Sequence, residues 1–167
     1  MKQLFLYRIL SFILLPVAAL LGIITILMLL AAASNSMLLI LAFVFASVVI
    51  YTIASFIFLQ KGIGQNELCN HSLRDWIRVN AIVSIIFCVF YLLGAAALLS
   101  DATLLKNAVK QAMEQQQSSV TISEADFLKV MKGLLYFLLV YSGLLLLHII
   151  LTFRLLKTYK HLFKEKE

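Results

Sequence analysis

Four long runs of apolar residues, separated by short polar segments, dominate the chain. The runs cover about residues 9–33, 37–59, 79–100 and 133–156. Each has close to the ~20 residues with which a helix crosses the roughly 30 Å hydrocarbon core of a bilayer. The pattern therefore predicts an all-α integral membrane protein in which four spanning helices form a transmembrane bundle.

The first run shares features with a secretory signal peptide, because basic residues precede it and small residues end it. Its apolar part is longer than the about 7–15 residues of a signal-peptide core. We therefore interpret it as the first spanning helix, in which Pro16 is tolerated and can introduce a kink.

Polar residues between the runs predict where helices begin and end. The second run is followed by Gly62, and a glycine just past a helix is a common stop. Ser72, with Asp75 three residues later, predicts the start of the third helix because such a pair can cap the first turn. Ser123 is followed closely by acidic residues and predicts the start of the fourth helix.

The segment 101–132 predicts a helical hairpin that extends the third and fourth helices beyond the membrane. Its first half contains neither glycine nor proline. Apolar residues recur there at helical spacing, namely Leu104, Leu105, Ala108, Val109, Ala112 and Met113. The sequence leaves open whether this helix continues the third span without a break. A basic cytoplasmic tail, 157–167, is expected after the fourth run.

The composition places the whole chain in the membrane class. Of its 167 residues, 63% are hydrophobic and 13% are charged, and the mean hydropathy is +1.01. Soluble domains have roughly half apolar and about a quarter charged residues. Too little chain remains outside the runs for a soluble domain, so we expect a single membrane domain with no evident internal sequence repeat. The positions of Cys69 and Cys88 favour reduced thiols over a disulfide framework.

Basic residues predict the orientation. The N-terminus, the second loop and the C-terminal tail hold ten of the fourteen basic residues and four of the eight acidic ones. The segment 101–132 holds the other four of each. Because positive charge accumulates on the cytoplasmic side, we expect both termini in the cytoplasm and an extracytoplasmic hairpin, in a plasma or bacterial inner membrane.

Apart from Arg154 at the end of the fourth run, the apolar runs contain no Asp, Glu, Lys or Arg, whereas proton-coupled pumps and voltage sensors need such charges at membrane depth. The candidate intramembrane polar cluster consists of Asn80, Ser84, Cys88, Tyr91, Tyr141, His148 and Thr152. We interpret His148 as a neutral histidine bonded to another helix, with a proton or metal role as the alternative. Stripes of small and weakly polar residues, which include Ser11 and Tyr51, favour a packed helix seam over a polar cavity or a lipid groove.

Basic residues at the predicted cytoplasmic surface are candidate contacts for anionic lipid headgroups, each worth about 1 kcal/mol close to the membrane. They are Arg74, Arg78, Arg154, Lys157, Lys160 and Lys164, of which the last four recur at helical spacing. The alternative is that they only set the orientation and the anchoring depth of the helices.

No motif for catalysis or cofactor binding is present. Cys69 and His71 lack the second ligand pair that zinc needs and the third group that a catalytic pair needs. Phosphate-binding, dinucleotide-binding and hydrolase motifs are missing from the sequence. We therefore expect no catalytic residue, no metal site and no cofactor, and no nucleic acid as a partner.

The leading functional hypothesis is a non-enzymatic accessory or scaffold subunit that acts through helix–helix contacts and through the outer hairpin. Its expected partners are membrane lipids and either further copies of the chain or another membrane protein. A small channel or transporter with a weakly polar interior is one alternative, and a lipid-binding membrane protein is another. Many unrelated families share a four-span topology, so topology alone does not decide among them.

Overall fold

The computed structural model describes residues 2–32, 35–115 and 123–163. Regular structure in these ranges is helical, apart from one isolated backbone bridge. Five α-helices lie there: α1 (Lys2–Ala31), α2 (Met37–Ile57), α3 (His71–Ser100), α4 (Ala102–Gln115) and α5 (Glu124–Thr158). Four helices, α1, α2 with its continuation, α3 and α5, are long and apolar enough to cross a membrane. The predicted all-α class, with four helices long and apolar enough to span a membrane, is thereby confirmed.

The chain forms two compact units. The first unit contains the chain up to Phe87 and from Leu144 onward, and the second unit is Cys88–Gly143. Helices α1 and α2 belong to the first unit and α4 to the second, whereas α3 and α5 contribute a part to each. Helix α5 has 35 residues. At 1.5 Å per residue it is about 52 Å long, so it extends beyond a hydrocarbon core of roughly 30 Å.

The end of the second spanning helix differs from the prediction. The helix does not end before Gly62 but continues through it as a π-helical segment, Phe58–Gly64. Asn66 follows with a left-handed φ of 55°, and the Glu67 N–H donates to the Lys61 carbonyl at 3.1 Å. Asparagine adopts the left-handed conformation more readily than most residues. Asn66, rather than Gly62, therefore terminates this helix.

Gly62 is needed for a different reason, which is close packing. A Cβ at this position would lie 3.0 Å from the Phe58 ring and 3.1 Å from Cys69 Sγ. Real Cβ atoms rarely come this close to their neighbours, because protein interiors are packed near crystal density. A larger residue at position 62 would therefore displace Phe58 or Cys69.

The C-terminal turn, residues 160–163, packs against this region. The Cys69 N–H donates to the Leu162 carbonyl at 2.7 Å, and the Phe163 ring stacks on Phe58 with centroids 5.3 Å apart. Leu162 and Phe163 are buried as a result. Helix α5 ends at Thr158 and a short 3-10 turn, Lys160–Leu162, follows. The prediction that Arg154, Lys157, Lys160 and Lys164 share one helical stripe is therefore wrong, because Lys160 lies past the end of α5.

Polar side chains start two of the helices. Helix α3 begins at His71, and the Ser72 N–H donates to Asn70 Oδ1 at 3.2 Å. Asn70 is thus the capping residue, and the predicted start at Ser72 is wrong. At the start of α5, the Asp126 N–H donates to Ser123 Oγ at 3.2 Å, and Ser123 Oγ donates to Asp126 Oδ2 at 2.7 Å. The predicted start at Ser123 is confirmed.

Asp101 separates α3 from α4. Its carboxylate accepts hydrogen bonds from the Thr103 N–H at 2.8 Å, from the Leu104 N–H at 3.4 Å and from the Thr103 hydroxyl. These hydrogen bonds, those of Thr103 most strongly, hold the pKa of the Asp101 carboxyl below its usual value. Asp101 therefore caps a new helix, and α3 does not continue unbroken into α4.

The buried positions of α1 recur in α3. Six described residues of each helix are buried, and every one in α3 lies 70 positions after its counterpart in α1. The pairs are Tyr7 and Ile77, Leu10 and Asn80, Ser11 and Ala81, Leu14 and Ser84, Ala18 and Cys88, and Thr25 and Ala95. The two helices therefore bury the same face although their side chains differ.

The second helix of each pair shows the same correspondence. Seven buried residues of α2 and its π-helical continuation have buried counterparts in α5, 97 positions later. These pairs are Val48 and Leu145, Tyr51 and His148, Thr52 and Ile149, Ala54 and Leu151, Ser55 and Thr152, Phe58 and Leu155, and Leu59 and Leu156. Helices α1–α2 and α3–α5 thus share a pattern of buried positions, whereas the residue identities at these positions differ.

In the second unit, α4 packs on α3 and α5. Ala95, Leu105 and Leu135 form a buried apolar cluster. Residues packed against it are Tyr91, Leu98, Leu99, Leu128, Met131 and Leu139. Val109 is also buried. The apolar side of α4 is therefore largely covered within this unit.

Candidate functional site

His148 is the centre of a buried polar cluster in the first unit. The side chain is 0% exposed. Its Nε2 lies 2.9 Å from Ser11 Oγ of α1, and its Nδ1 lies 2.7 Å from the Tyr51 hydroxyl of α2. The Tyr7 ring stacks on the imidazole with centroids 4.6 Å apart. His148 of α5 thus joins three helices, and both of its ring nitrogens have a hydroxyl partner.

Hydroxyl groups extend this cluster to backbone carbonyls. Ser11 Oγ donates to the Tyr7 carbonyl at 2.8 Å, and Thr152 Oγ1 donates to the His148 carbonyl at 2.8 Å. The Tyr51 hydroxyl also lies 2.8 Å from Thr152 Oγ1. Ser11, His148, Tyr51 and Thr152 therefore form one hydrogen-bonded chain, which we call the His148 chain.

The His148 chain has two self-consistent directions, because each hydroxyl can donate or accept. With the proton on Nε2, the imidazole donates to Ser11 and accepts from Tyr51, and the Thr152 hydroxyl donates either to Tyr51 or to the His148 carbonyl. With the proton on Nδ1, the imidazole donates to Tyr51, which then donates to Thr152, and Ser11 donates to Nε2 instead of to the Tyr7 carbonyl. The neutral imidazole is satisfied in both tautomers. No charged side chain contacts it among the described residues, and a buried charge without a counterion is costly.

The partners of His148 come from α1 and α2. Tyr51 and His148 occupy corresponding buried positions of α2 and α5 and contact each other. From α1, Tyr7 and Ser11 supply an aromatic ring and a hydroxyl to His148. The corresponding positions of α3 hold the apolar residues Ile77 and Ala81, which offer no such partner.

The other predicted polar residues have different partners. Asn80 Nδ2 donates to the Trp76 carbonyl at 2.8 Å, and Ser84 Oγ donates to the Asn80 carbonyl at 2.8 Å, so both bond within α3. In the second unit, the Tyr91 hydroxyl donates to the Leu135 carbonyl at 3.2 Å. Cys88 and Tyr141 are buried, and His148 and Thr152 lie in the His148 chain.

Sequence reasoning placed Ser11 and Tyr51 in seam stripes but not in the candidate cluster, and it omitted Tyr7. The spacing of Tyr7 and Ser11 is a signal that could have identified these two residues. They are four residues apart, so their side chains lie on the same helix face. A tyrosine and a serine on one face of an apolar helix are suitable partners for a buried histidine elsewhere.

The basic residues at the other candidate site lie apart from this cluster. Arg78, Arg154, Lys157 and Lys160 are exposed, and Lys164 lies outside the described residues. Arg74 is half-buried. Its guanidinium donates to His71 Nε2 and lies 5.9 Å from the centroid of the Phe163 ring. His71 Nδ1 in turn lies 3.0 Å from the Asp75 carboxylate. Arg74 therefore stabilises the contact with the C-terminal turn.

No cluster of residues able to hold a metal ion occurs in the described part of the chain. Comparisons with family models, with curated proteins and with solved structures found no match to this chain. Its class therefore follows from its own features. Four helices that are long and apolar enough to cross a membrane indicate a multi-pass membrane protein.

Proposed function

We propose that this chain is a non-enzymatic accessory or scaffold subunit that acts through helix–helix contacts with a second copy or with another membrane protein. The observation that carries the proposal is a contrast between the buried and the exposed faces of its helices. On the buried faces, polar side chains form hydrogen bonds with one another or with backbone carbonyls. On the exposed faces, Gly94 and Gly143 have open space around them.

The interior supports a structural role for the His148 chain. Both imidazole nitrogens of His148 are occupied by Ser11 and Tyr51, so a solute would have to displace these hydroxyls to bind. Ion-coupled transport generally relies on a charged residue at membrane depth, and the one charged residue of the apolar runs, Arg154, lies at the very end of the fourth run. The cluster therefore favours helix association over transport.

The outward glycines support a contact with another helix. A Cβ added at Gly94 or Gly143 would meet no described atom within 4 Å, whereas one added at Gly22 would contact Val49 at 3.8 Å. A glycine inside a helix costs about 0.5–1 kcal/mol relative to alanine. Small residues allow membrane helices to approach closely. An intermolecular helix contact would explain why glycine occupies these two positions; Gly133, nearer the start of α5, is equally open.

The outer hairpin offers a smaller surface for the same purpose. Leu105 and Val109 are buried inside the second unit, whereas Leu104 and Val130 are 49% and 69% exposed. The exposed pair can contact a partner outside the membrane. We therefore propose that partner binding rests mainly on the helix faces around Gly94 and Gly143, with the hairpin as a minor contributor.

Replacing Gly94 or Gly143 with leucine is expected to abolish co-purification of the partner or of a differently tagged second copy in mild detergent. The bulkier side chain blocks close approach of the second helix, while the space around each glycine keeps the fold intact. The melting temperature is expected not to fall, because leucine favours a helix more than glycine does. The matched control is Ala19→Leu, at an exposed position of α1. Equal recovery of partners by wild type and both glycine variants would contradict the proposal.

We also propose that both termini lie in the cytoplasm and that the hairpin of 101–132 lies outside. The excess of basic residues at the N-terminus, the second loop and the tail supports this orientation. With four spans, both termini lie on the same side. The membrane would be the plasma membrane or a bacterial inner membrane.

A charged, membrane-impermeant maleimide is expected to label Lys110→Cys in intact cells and to label Lys61→Cys only after permeabilisation. Both positions are exposed. The native thiols give little background, because Cys69 and Cys88 are 6% and 1% exposed. Burial, with the nearby Glu67 carboxylate, also raises the pKa of the Cys69 thiol, so less of the reactive thiolate is present at neutral pH. The opposite labelling order would reverse the assigned orientation.

A further inference from the structure

A cleft of about 110 Å³ lies in the second unit at the junction of α3, α4 and α5. Its lining combines apolar side chains with two lysines and a tyrosine. The lining residues are Leu98, Leu99, Ala102, Leu105, Lys106, Leu128, Lys132 and Tyr136. The cleft therefore presents positive charge beside an apolar wall.

The two lysines of the cleft differ from the other hairpin lysines. Lys129 pairs with Asp126, with Nζ 3.4 Å from Oδ1. Lys106 and Lys132 form no ion pair with any described residue. The nearest acidic residue in sequence to Lys106 is Asp101, whose carboxylate already accepts hydrogen bonds from Thr103 and Leu104. Two positive charges thus face one cleft without an anionic partner.

The position of the cleft matches the surface of a bilayer. Helix α3 ends at Ser100, and Lys132 directly precedes the apolar run of α5. On the membrane side of Lys132, Leu134 and Phe137 are 50% and 52% exposed. Their exposed surface can accommodate acyl chains. Tyr136 is 57% exposed beside the cleft, and tyrosine is enriched at the level of lipid headgroups.

We propose that this cleft binds the headgroup of an anionic phospholipid. Lys106 and Lys132 pair with the phosphate, and the acyl chains lie along the exposed apolar face of α5 that begins at Leu134. The charge on the two lysines selects an anionic headgroup over a zwitterionic one, because each basic residue near the surface attracts anionic lipid. The site is independent of the proposed helix–helix contacts, and it uses none of the basic residues proposed from the sequence as headgroup contacts.

The test is native mass spectrometry of the full chain released from nanodiscs that contain equal amounts of phosphatidylglycerol and phosphatidylcholine. The wild type is expected to retain phosphatidylglycerol preferentially. Lys106→Gln/Lys132→Gln is expected to retain about 10- to 30-fold less of it, since two headgroup contacts are lost. The matched control, Lys110→Gln/Lys129→Gln, removes the same charge from the same two helices and should behave like the wild type.

Two further arms make each outcome decisive. Lys106→Arg/Lys132→Arg keeps the charge and is expected to retain the lipid, which separates loss of binding from loss of folding. Inorganic phosphate added to the lipid-free protein in detergent is expected to leave its melting temperature unchanged. Equal loss in the control variant, or equal retention of both lipids by the wild type, would overturn the proposal. Stabilisation by phosphate alone would instead assign the cleft to a free anion.

Discussion

The His148→Ala variant is expected to lose about 3–5 kcal/mol of unfolding free energy. The substitution leaves a cavity against the stacked Tyr7 ring and removes the imidazole nitrogens to which the Ser11 and Tyr51 hydroxyls are hydrogen-bonded. Those groups are held by α1 and α2, so the loss weakens the packing of both helices on α5. The measurement is denaturant unfolding in detergent micelles, or the melting temperature where unfolding is irreversible.

Two further variants separate the hydrogen bonds from the packing. Tyr51→Phe keeps the ring and removes the hydroxyl, and is expected to cost about 0.6–1.7 kcal/mol, the range of hydrogen bonds between membrane helices. Thr25→Val is the control, because the Thr25 hydroxyl donates only to the Leu21 carbonyl of its own helix, at 2.7 Å. It is expected to change stability little. If His148→Ala is no more destabilising than Thr25→Val, the His148 chain does not hold the helices together.

The Gly62→Val variant is expected to lose about 1–3 kcal/mol, the usual cost of overpacking a filled site. The added atoms collide with Phe58 and Cys69, where a single Cβ would already be 3.0 and 3.1 Å away. Displacing Cys69 breaks the hydrogen bond from its N–H to the Leu162 carbonyl. The C-terminal turn should then detach, and unfolding curves should show the loss of stability.

The thiol of Cys69 provides a second measurement for this variant. Burial raises its pKa in the native protein, so detachment of the turn should lower the pKa toward its ordinary value and increase the thiolate fraction. Cys69 in Gly62→Val should therefore react faster with maleimide near neutral pH. The control is Gly133→Val, where an added Cβ meets no described atom within 4 Å. Unchanged stability and unchanged Cys69 reactivity in Gly62→Val would contradict the close packing described above.

The sequence predicted the spanning helices because their length and composition dominate every local choice. It also predicted the start at Ser123, since a serine and an acid three residues later cap a helix through purely local hydrogen bonds. The errors at Gly62 and Ser72 have tertiary causes. Gly62 leaves room for Cys69 and Phe58, and both of these residues contact the C-terminal turn, which is distant in sequence. Asn70, a better cap than Ser72 here, lies one position before the helix.

The polar cluster could be predicted only in part. His148 stood out as the one titratable side chain in an apolar run, and Thr152 followed from helical spacing. Which helices would supply its partners depends on how α1 and α2 pack against α5. The shared pattern of buried positions could not be predicted for the same reason. Tyr51 and His148 occupy corresponding buried positions of α2 and α5, but they are different residues. The correspondence lies in burial, which depends on packing.

If the helices bond their polar groups internally and act through their outer faces, the protein should be isolated together with a partner. The most direct test is the mass of the particle extracted in native nanodiscs without prior detergent. We expect either two or more copies of the 18.8 kDa chain or one copy with a stoichiometric membrane partner. A lone chain without a protein partner, together with a solute leak in liposomes that His148→Leu abolishes, would contradict it and would assign the His148 chain to transport.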